Sequence, residues 1–504
     1  MRKRRQKGKQ TDAIFPLKID ELETLIKSKF ENNSDEDLIF SSYEHQGQKI
    51  AVFGISYLID TDQLESSLLT PLLNKQEPWT NQDLLSDIPL EGGAVTDSLQ
   101  ELLNKIIIGE VFIYIEEEKY IVSYPLAQKE KRDLTVSENE SVILGPAIGF
   151  TESLETNLNV LRQITPSSDL VIEKLVIGEK VPREVRIVYM KSVANREDVN
   201  TMRQRIQDIE VDEVESTTSL KQFVEDSITN IFPQFYMTEL PSRISYSIHQ
   251  GKVGVLLENS PMTFIGPSTF FSFFEAMEDI YMRWAAGTAL RILRVLAMAI
   301  SFLITPTYVA IVTFQYELVP TELLVSLGES RANVPFPPII EALLIETLIE
   351  LLREAGARLP TKVGQTMGIV GGIVVGEAAV QAGLTSNILI IVVAMSALAT
   401  FSTPNYLMGT SFRFIRFPMI LLAGLHGVIG IMFGISFLMI HLLGLTSLGR
   451  PYLAPVYPLR LQDFKDVFFR TPPQKHSKRA SMYRPKDQFR YSKQKANKKR
   501  DIDE

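Results

Sequence analysis

The 504-residue sequence contains no cysteine. That excludes disulfides, thiolate metal sites and cysteine nucleophiles. Histidine is scarce, with five residues at 45, 249, 426, 441 and 476 and no metal-ligand spacing among them. His426 and His441 fall in one apolar stretch and read as structural rather than as a proton relay. Neither a P-loop nor a Gly-x-Ser-x-Gly nucleophile turn is present. The chain is read as a non-enzyme, and no cofactor or metal is expected. The basic start lacks an apolar run behind it, so no cleavable signal is expected. The soluble N-terminal half is then expected to stay in the cytoplasm.

Charge and hydropathy are present but unevenly spread. The formal net charge is -8. Residues 1–10 carry Arg2, Lys3, Arg4, Arg5, Lys7 and Lys9 with no acid, and residues 470–500 are basic except for Asp487. Between them the body is acidic. Basic ends of this kind are either solvated and disordered or touch anionic membrane lipid. The tail aromatics Tyr483, Phe489 and Tyr491 are too sparse for a base-stacking platform, so nucleic acid is not an expected partner.

The length exceeds one hydrophobic core, and the pattern divides it. Residues 1–16 read as a disordered basic arm. Residues 17–140 read as a soluble α/β domain, with a helix over 17–30, short β-like runs and a hairpin across 116–119. Residues 141–270 read as a second α/β domain: helices over 152–162, 198–209 and 220–231, and strands over 170–177, 186–190 and 251–257. The aromatic-rich 270–280 reads either as an amphipathic elbow on the membrane or as packing beneath the second domain. Residues 271–455 read as a helical membrane domain, and 456–504 as a basic, disordered tail. The expected fold class is thus two cytoplasmic α/β domains followed by an α-helical transmembrane bundle.

Val295, Phe314 and the residues between them carry no formal charge, long enough to cross a bilayer core. Arg283, Arg291 and Arg294 before this span put its start in the cytoplasm by the positive-inside rule. The next apolar segment, 339–352, contains Glu341, Glu346 and Glu350. Glu346, Glu350 and Glu354 share one helix face. Carboxylates are too costly to face lipid, so the segment reads as a re-entrant or interfacial helix. Its acids are either a solvated face or an acidic vestibule that attracts cations. Apolar runs over 366–384 and 387–401, an interfacial stretch over 406–417 and a long final span over 419–443 follow. Four spans plus the re-entrant helix return the tail to the cytoplasm but leave Arg413 and Arg416 outside; five spans do the reverse.

Gly364, Gly368, Gly372 and Gly376, with Gly371 beside them, strip side chains from one helix face. Such a face serves close packing within one chain, a subunit interface or a narrow pore. Gly424, Gly427, Gly430 and Gly434 form a related face, read as packing. Glu377 is an ionisable group near the end of the glycine helix.

The run Pro335-Phe336-Pro337-Pro338, with Glu341 and Glu346 after it, resembles the GerA family of spore germination proteins, specifically its A subunit. So do 354–360, 363–372, Leu384-Thr385-Ser386-Asn387 and Thr403-Pro404-Asn405-Tyr406. Upstream, Gly145-Pro146, 149–152, Pro241-Ser242-Arg243 and 251–256 fit the same pattern. The resemblance implies residence in the inner membrane of bacterial endospores. It implies a nutrient-sensing germinant receptor containing a transporter-like B subunit and a lipoprotein C subunit, with nutrient binding chiefly in B. It also implies a homo-oligomeric ring, a pentamer, around a cation-conducting pore. Partner-independent paralogues share these motifs. A non-conducting scaffold is the alternative. A solute carrier would show inverted repeats of apolar segments, and none is evident.

Overall fold

The structure, a computed structural model, describes residues 15–29, 37–128, 140, 144–359, 376–472 and 476–491. Helix α1, Ile19–Lys29, buries Ile19, Leu22 and Ile26, the 3–4 spacing of one helical face. Strands β1 (Leu38–His45), β2 (Gln48–Ile55), β3 (Ala94–Thr96), β4 (Glu110–Ile115) and β5 (Ile121–Pro125) form an antiparallel sheet in the order β1-β2-β4-β5-β3. Alternation along the strands gives each face its own apolar set. Phe53, Phe112 and Tyr114 meet α1 and α2 (Leu99–Ile106) on one face. Val52, Ile113 and Val122 meet Leu68, Leu72, Trp79 and Leu84 on the other.

The same plan is then repeated. Helix α3 (Leu154–Ile164) leads into β6 (Leu170–Ile177) and β7 (Arg183–Met190), then α4 (Arg196–Gln207), α5 (Thr217–Val224) and β8 (Tyr236–Thr238). Helix α6 (Pro241–His249) precedes β9 (Val253–Leu257) and β10 (Thr263–Gly266). The sheet order is β6-β7-β9-β10-β8, the first order advanced by five, and every pairing is again antiparallel. Helices α3 and α6 cover one face, and α4 and α5 the other. The helix read over 220–231 stops at Val224; the chain then leaves helical geometry well before Pro233, and the side chain of Gln234 accepts from the backbone N–H groups of Asp226 and Ser227. The two units are pinned by a buried bidentate pair, Arg186 to Asp37 at 2.6 and 2.8 Å.

Residues 270–280 do not lie open. Phe270, Phe273 and Phe274 are buried. Their rings meet Tyr236, Phe412 and Tyr452. Packing beneath the second domain, not a lipid-facing elbow, is the observed arrangement. The chain then enters α7 (Trp284–Thr313), α8 (Thr321–Arg331), α9 (Pro338–Arg358), α10 (Gly376–Gln381), α11 (Asn387–Phe401) and α12 (Tyr406–Gly444). Of the described residues, α7 and α12 are the helices long and apolar enough to cross a membrane.

The described part of the basic tail is laid against the second domain rather than solvated. The Lys486 N–H donates to the Val193 carbonyl at 2.9 Å. The Asn195 side chain donates to the Arg484 carbonyl, and the Arg479 Nε to the His249 carbonyl. The tail's guanidinium groups find carboxylates and backbone carbonyls within the chain, which a disordered, lipid-seeking segment would not.

Candidate functional site in the helical bundle

Local chemistry starts each bundle helix. Pro338 opens α9, where its missing N–H costs nothing. The Ser386 hydroxyl caps α11 by accepting from Leu389 N–H, and the Asn405 side chain caps α12 by accepting from Met408 N–H. The quoted motifs Leu384-Thr385-Ser386-Asn387 and Thr403-Pro404-Asn405 are thus helix starts. Pro335, Phe336 and Pro337 form the corner before α9, and the Phe336 carbonyl accepts from Arg331.

Helix α12 is not one span. Gly427 sits at φ 62°, ψ -144°, and divides it into arms over 406–426 and 428–444. The arms fold back on each other. Phe232 touches both Phe412 and His441, with ring centroids 5.7 and 6.2 Å away; on a continuous helix these two would stand roughly 43 Å apart. The single final span read over 419–443 is therefore replaced by a reversal. A side chain at Gly430 would collide with the Leu422 carbonyl, and one at Gly434 with the Met419 sulfur. These glycines let the arms approach.

The reversal settles the placement of Arg413 and Arg416. They lie toward the soluble-domain end of the first arm, where the Ser411 hydroxyl donates to the Ile231 carbonyl. Both point inward. Arg416 pairs with Glu346 at 2.6 Å, and both are buried. Thr305 of α7 also donates to Glu346, and Arg416 donates to Thr400 of α11. Four helices therefore meet at one ion pair. Arg413 pairs with Glu350 at 2.8 Å. Nearer the far end, fully buried Glu341 accepts from Arg331 at 2.7 Å, from Ser386 N–H at 2.7 Å and from the Thr385 hydroxyl. Helix α9 runs antiparallel to the first arm along this ladder, with Ile339 against Gly424 and Glu350 beside Arg413. It is a helix of 21 residues, longer than the 339–352 segment read from the sequence. Its buried carboxylates, Glu341 and Glu346, are tolerated because arginines of neighbouring elements neutralise them.

The expected acidic trio is thus divided. Glu346 is committed to Arg416. Glu350 and Glu354 keep side chains 38% and 63% exposed, the latter paired with Arg358. Gly376 begins α10 near Ile390, and Glu377 accepts from Gln381 on an exposed face. Gly364, Gly368, Gly371 and Gly372 lie outside the described residues.

A second charged cluster joins the bundle to the soluble domain. Fully buried Asp279 holds Arg291 at 3.1 Å and Arg294 at 2.7 Å. Sequence reasoning used these arginines as topology signals but did not find their partner; an acid twelve and fifteen residues upstream was the available signal. Beside them a cavity of about 40 Å³ is lined by Arg243, Lys252 and Glu275 and roofed by Met482 and Tyr483 of the tail. The Lys252 ammonium lies 4.4 Å from the Tyr483 ring centre.

Burial pushes Lys252 down to about 8, against the pull of Glu275. Burial likewise raises the Glu275 carboxyl, opposed by Arg291, Lys252 and Arg243. Between about pH 8 and the ordinary lysine value of 10.5 the unfolded chain holds a proton that the folded chain lacks, so this group's contribution to stability rises with pH. Below pH 8 carrying the charge into the fold costs about 3 kcal/mol. Lys252→Met is therefore expected to melt higher than the parent at pH 7 and to lose that advantage toward pH 10. A difference independent of pH in paired thermal melts would contradict this.

A family model described as Bacillus/Clostridium GerA spore germination protein matches residues 24–482. Spore germination protein GerQA of Bacillus cereus is 40% identical over 96% of both chains. Spore germination protein KA of Bacillus subtilis (strain 168) is 33% identical over 93% of this chain and 88% of its own. The crystal structure of the N-terminal domain of the A subunit of the Bacillus megaterium spore germinant receptor GerK3 aligns at a TM-score of 0.40 and 23% identity. It covers 52% of this chain and 99% of that one. The relatives are named for germination, not for a catalysed reaction. Matched across nearly its whole length, the chain belongs to the GerA family of spore germination proteins, the A subunits of germinant receptors.

Proposed function

We propose that this chain is the channel-forming A subunit of a germinant receptor in the inner spore membrane. The helical bundle spans the bilayer, with the two α/β domains and the tail on the cytoplasmic side. Copies of the chain assemble into a ring, a pentamer, around a cation path. The transporter-like B subunit and the lipoprotein C subunit complete the receptor. The observation that carries this reading is the inversion of the bundle: Arg–Glu pairs lie inside, while Leu398, Phe401, Phe433 and Phe437 point outward and exposed. Lipid and neighbouring copies are the surroundings that such faces require.

The glycine face of Gly364, Gly368, Gly371, Gly372 and Gly376 lines or buttresses the gate. Its spacing removes side chains where a closed pore must be narrow. Glu350 and Glu354 are assigned to the vestibule at the soluble-domain mouth. Glu346 supports them structurally through Arg416.

Gly368→Leu tests the gate. Spores with normal levels of this protein are expected to lose most of the early cation release after nutrient addition. Normal release at normal protein levels would refute the assignment. A non-conducting scaffold that recruits germination proteins is the alternative, and it is separated by conductance: purified protein in planar bilayers passes cations under the channel reading and passes none under the scaffold reading.

A further inference from the structure

The connection that follows α5 carries side chains that the soluble fold does not use. Ile228 is 84% exposed and Ile231 56% exposed. Their backbone is nevertheless firmly held. Asn230 donates to the Phe232 carbonyl at 2.7 Å and its carbonyl oxygen meets His441 Nε2 at 2.9 Å. The Ile231 carbonyl accepts from Ser411 at 2.7 Å. Phe232 is buried against Phe270 and Phe412. A loop anchored this way, with isoleucines left outside, displays them at a set height.

That height is on the bundle, not below it. Ser411 lies roughly 8 Å along the first arm from Tyr406, and the whole arm is about 31 Å long, close to the hydrocarbon thickness of a bilayer. The loop therefore stands beside the foot of the helix. Between them is a groove of about 420 Å³, lined by Ile228, Ile231, Leu407 and Phe414. Phe414 and Tyr406 are also exposed. The isoleucines are continuous with the outward apolar face of α12. Charge at the rim is already satisfied, since Lys221 pairs with Glu225 at 2.8 Å.

We propose that the loop over 225–232 is a second membrane contact. Ile228 and Ile231 enter the headgroup–acyl boundary of the cytoplasmic leaflet, and a lipid acyl chain occupies the groove beside Phe414. Apolar side chains at that depth are stabilised by leaving water. The soluble domain is thereby fixed to the bilayer at a point away from the α7 junction, so its rotation about that junction is restrained. This inference rests on the reading of the bundle as membrane-spanning.

Because the chain has no cysteine, single cysteines give unique labelling of the full-length protein. Ile228→Cys carries an environment-sensitive nitrobenzoxadiazole dye in proteoliposomes. Phe437→Cys on the outward face of the second arm and Val176→Cys on exposed β6 are the lipid and water references. The expected result is that dye at 228 loses most of its emission to lipid bearing a nitroxide near its headgroup, and little to aqueous iodide. Behaviour like that at 176 overturns the proposal. Blue-shifted emission quenched by neither agent also overturns it, because a neighbouring copy or partner then covers the loop. If dye at 437 is also insensitive to lipid nitroxide, the membrane reading itself fails.

Discussion

Arg416→Leu is expected to cost the protein about 3–5 kcal/mol, the penalty for leaving a buried carboxylate unpaired. Glu346 is 3% exposed and accepts only from Arg416 and Thr305 among its described contacts. Leucine removes the charge-assisted bond and leaves Thr305 as a neutral donor. The complementary change, Glu346→Leu, strands Arg416 with Thr400 alone and is expected to be equally severe. Combining the two removes both charges, and apolar side chains replace them in an apolar bundle. The double variant is therefore expected to recover most of the lost stability. Thermal unfolding of the detergent-purified full-length chain measures all three. If either single variant is as stable as the parent, or if the double is worse than both singles, the pair is not the joint of α7, α9, α11 and α12.

Gly427→Ala is expected to be nearly as damaging, for a backbone reason. At φ 62°, ψ -144° the residue occupies a region that is essentially glycine's alone, and holding a non-glycine residue there costs about 1–3 kcal/mol. Space adds to the cost. A Cβ would stand 2.8 Å from the amide of Gln315 and 3.1 Å from Cβ of Phe314. The Gln315 side chain also accepts from Val428 N–H at 3.4 Å, so displacing it uncaps the second arm. The consequence is specific: an arm that cannot reverse carries the tail away from the second domain. A cysteine placed at exposed Val456 is then expected to change its accessibility from the soluble-domain side in intact vesicles, together with a loss of folded protein. Gly444→Ala is the control, since nothing lies within 4 Å of its Cβ, and should behave as the parent. Equal behaviour of the two variants would count against the reversal.

The sequence carried the strands and helices of the soluble half because their apolar spacing is local. The 3–4 spacing of Ile19, Leu22 and Ile26 commits one helix face to a core, and the largely apolar run of 170–177 commits a strand to burial on both faces, whatever those cores are. It did not reveal that the second unit repeats the plan of the first, because strand order is set by pairings between distant segments such as β3 with β5. The helix over 220–231 was misread for the same reason. Propensity favours continuing past Val224, but Gln234 engages the Asp226 and Ser227 amides, and tertiary hydrogen bonds outweigh propensity.

Composition and pattern by themselves determined the apolar C-terminal half, the absence of thiol chemistry, the family motifs and the impossibility of acids facing lipid. Each follows from residue identity, because transfer energies belong to the side chain. Only the tertiary structure decided where those acids find their partners. Glu346 and Arg416 are seventy positions apart, and nothing in either neighbourhood specifies the other. It likewise decided that Gly427 turns the chain rather than merely thinning a helix face. A glycine's freedom allows both, and the choice is made by the packing of two arms against α7 and α9. The tail's fate was decided in the same way: its positive charge suits lipid or protein equally, and the His249 carbonyl lies close enough to claim Arg479.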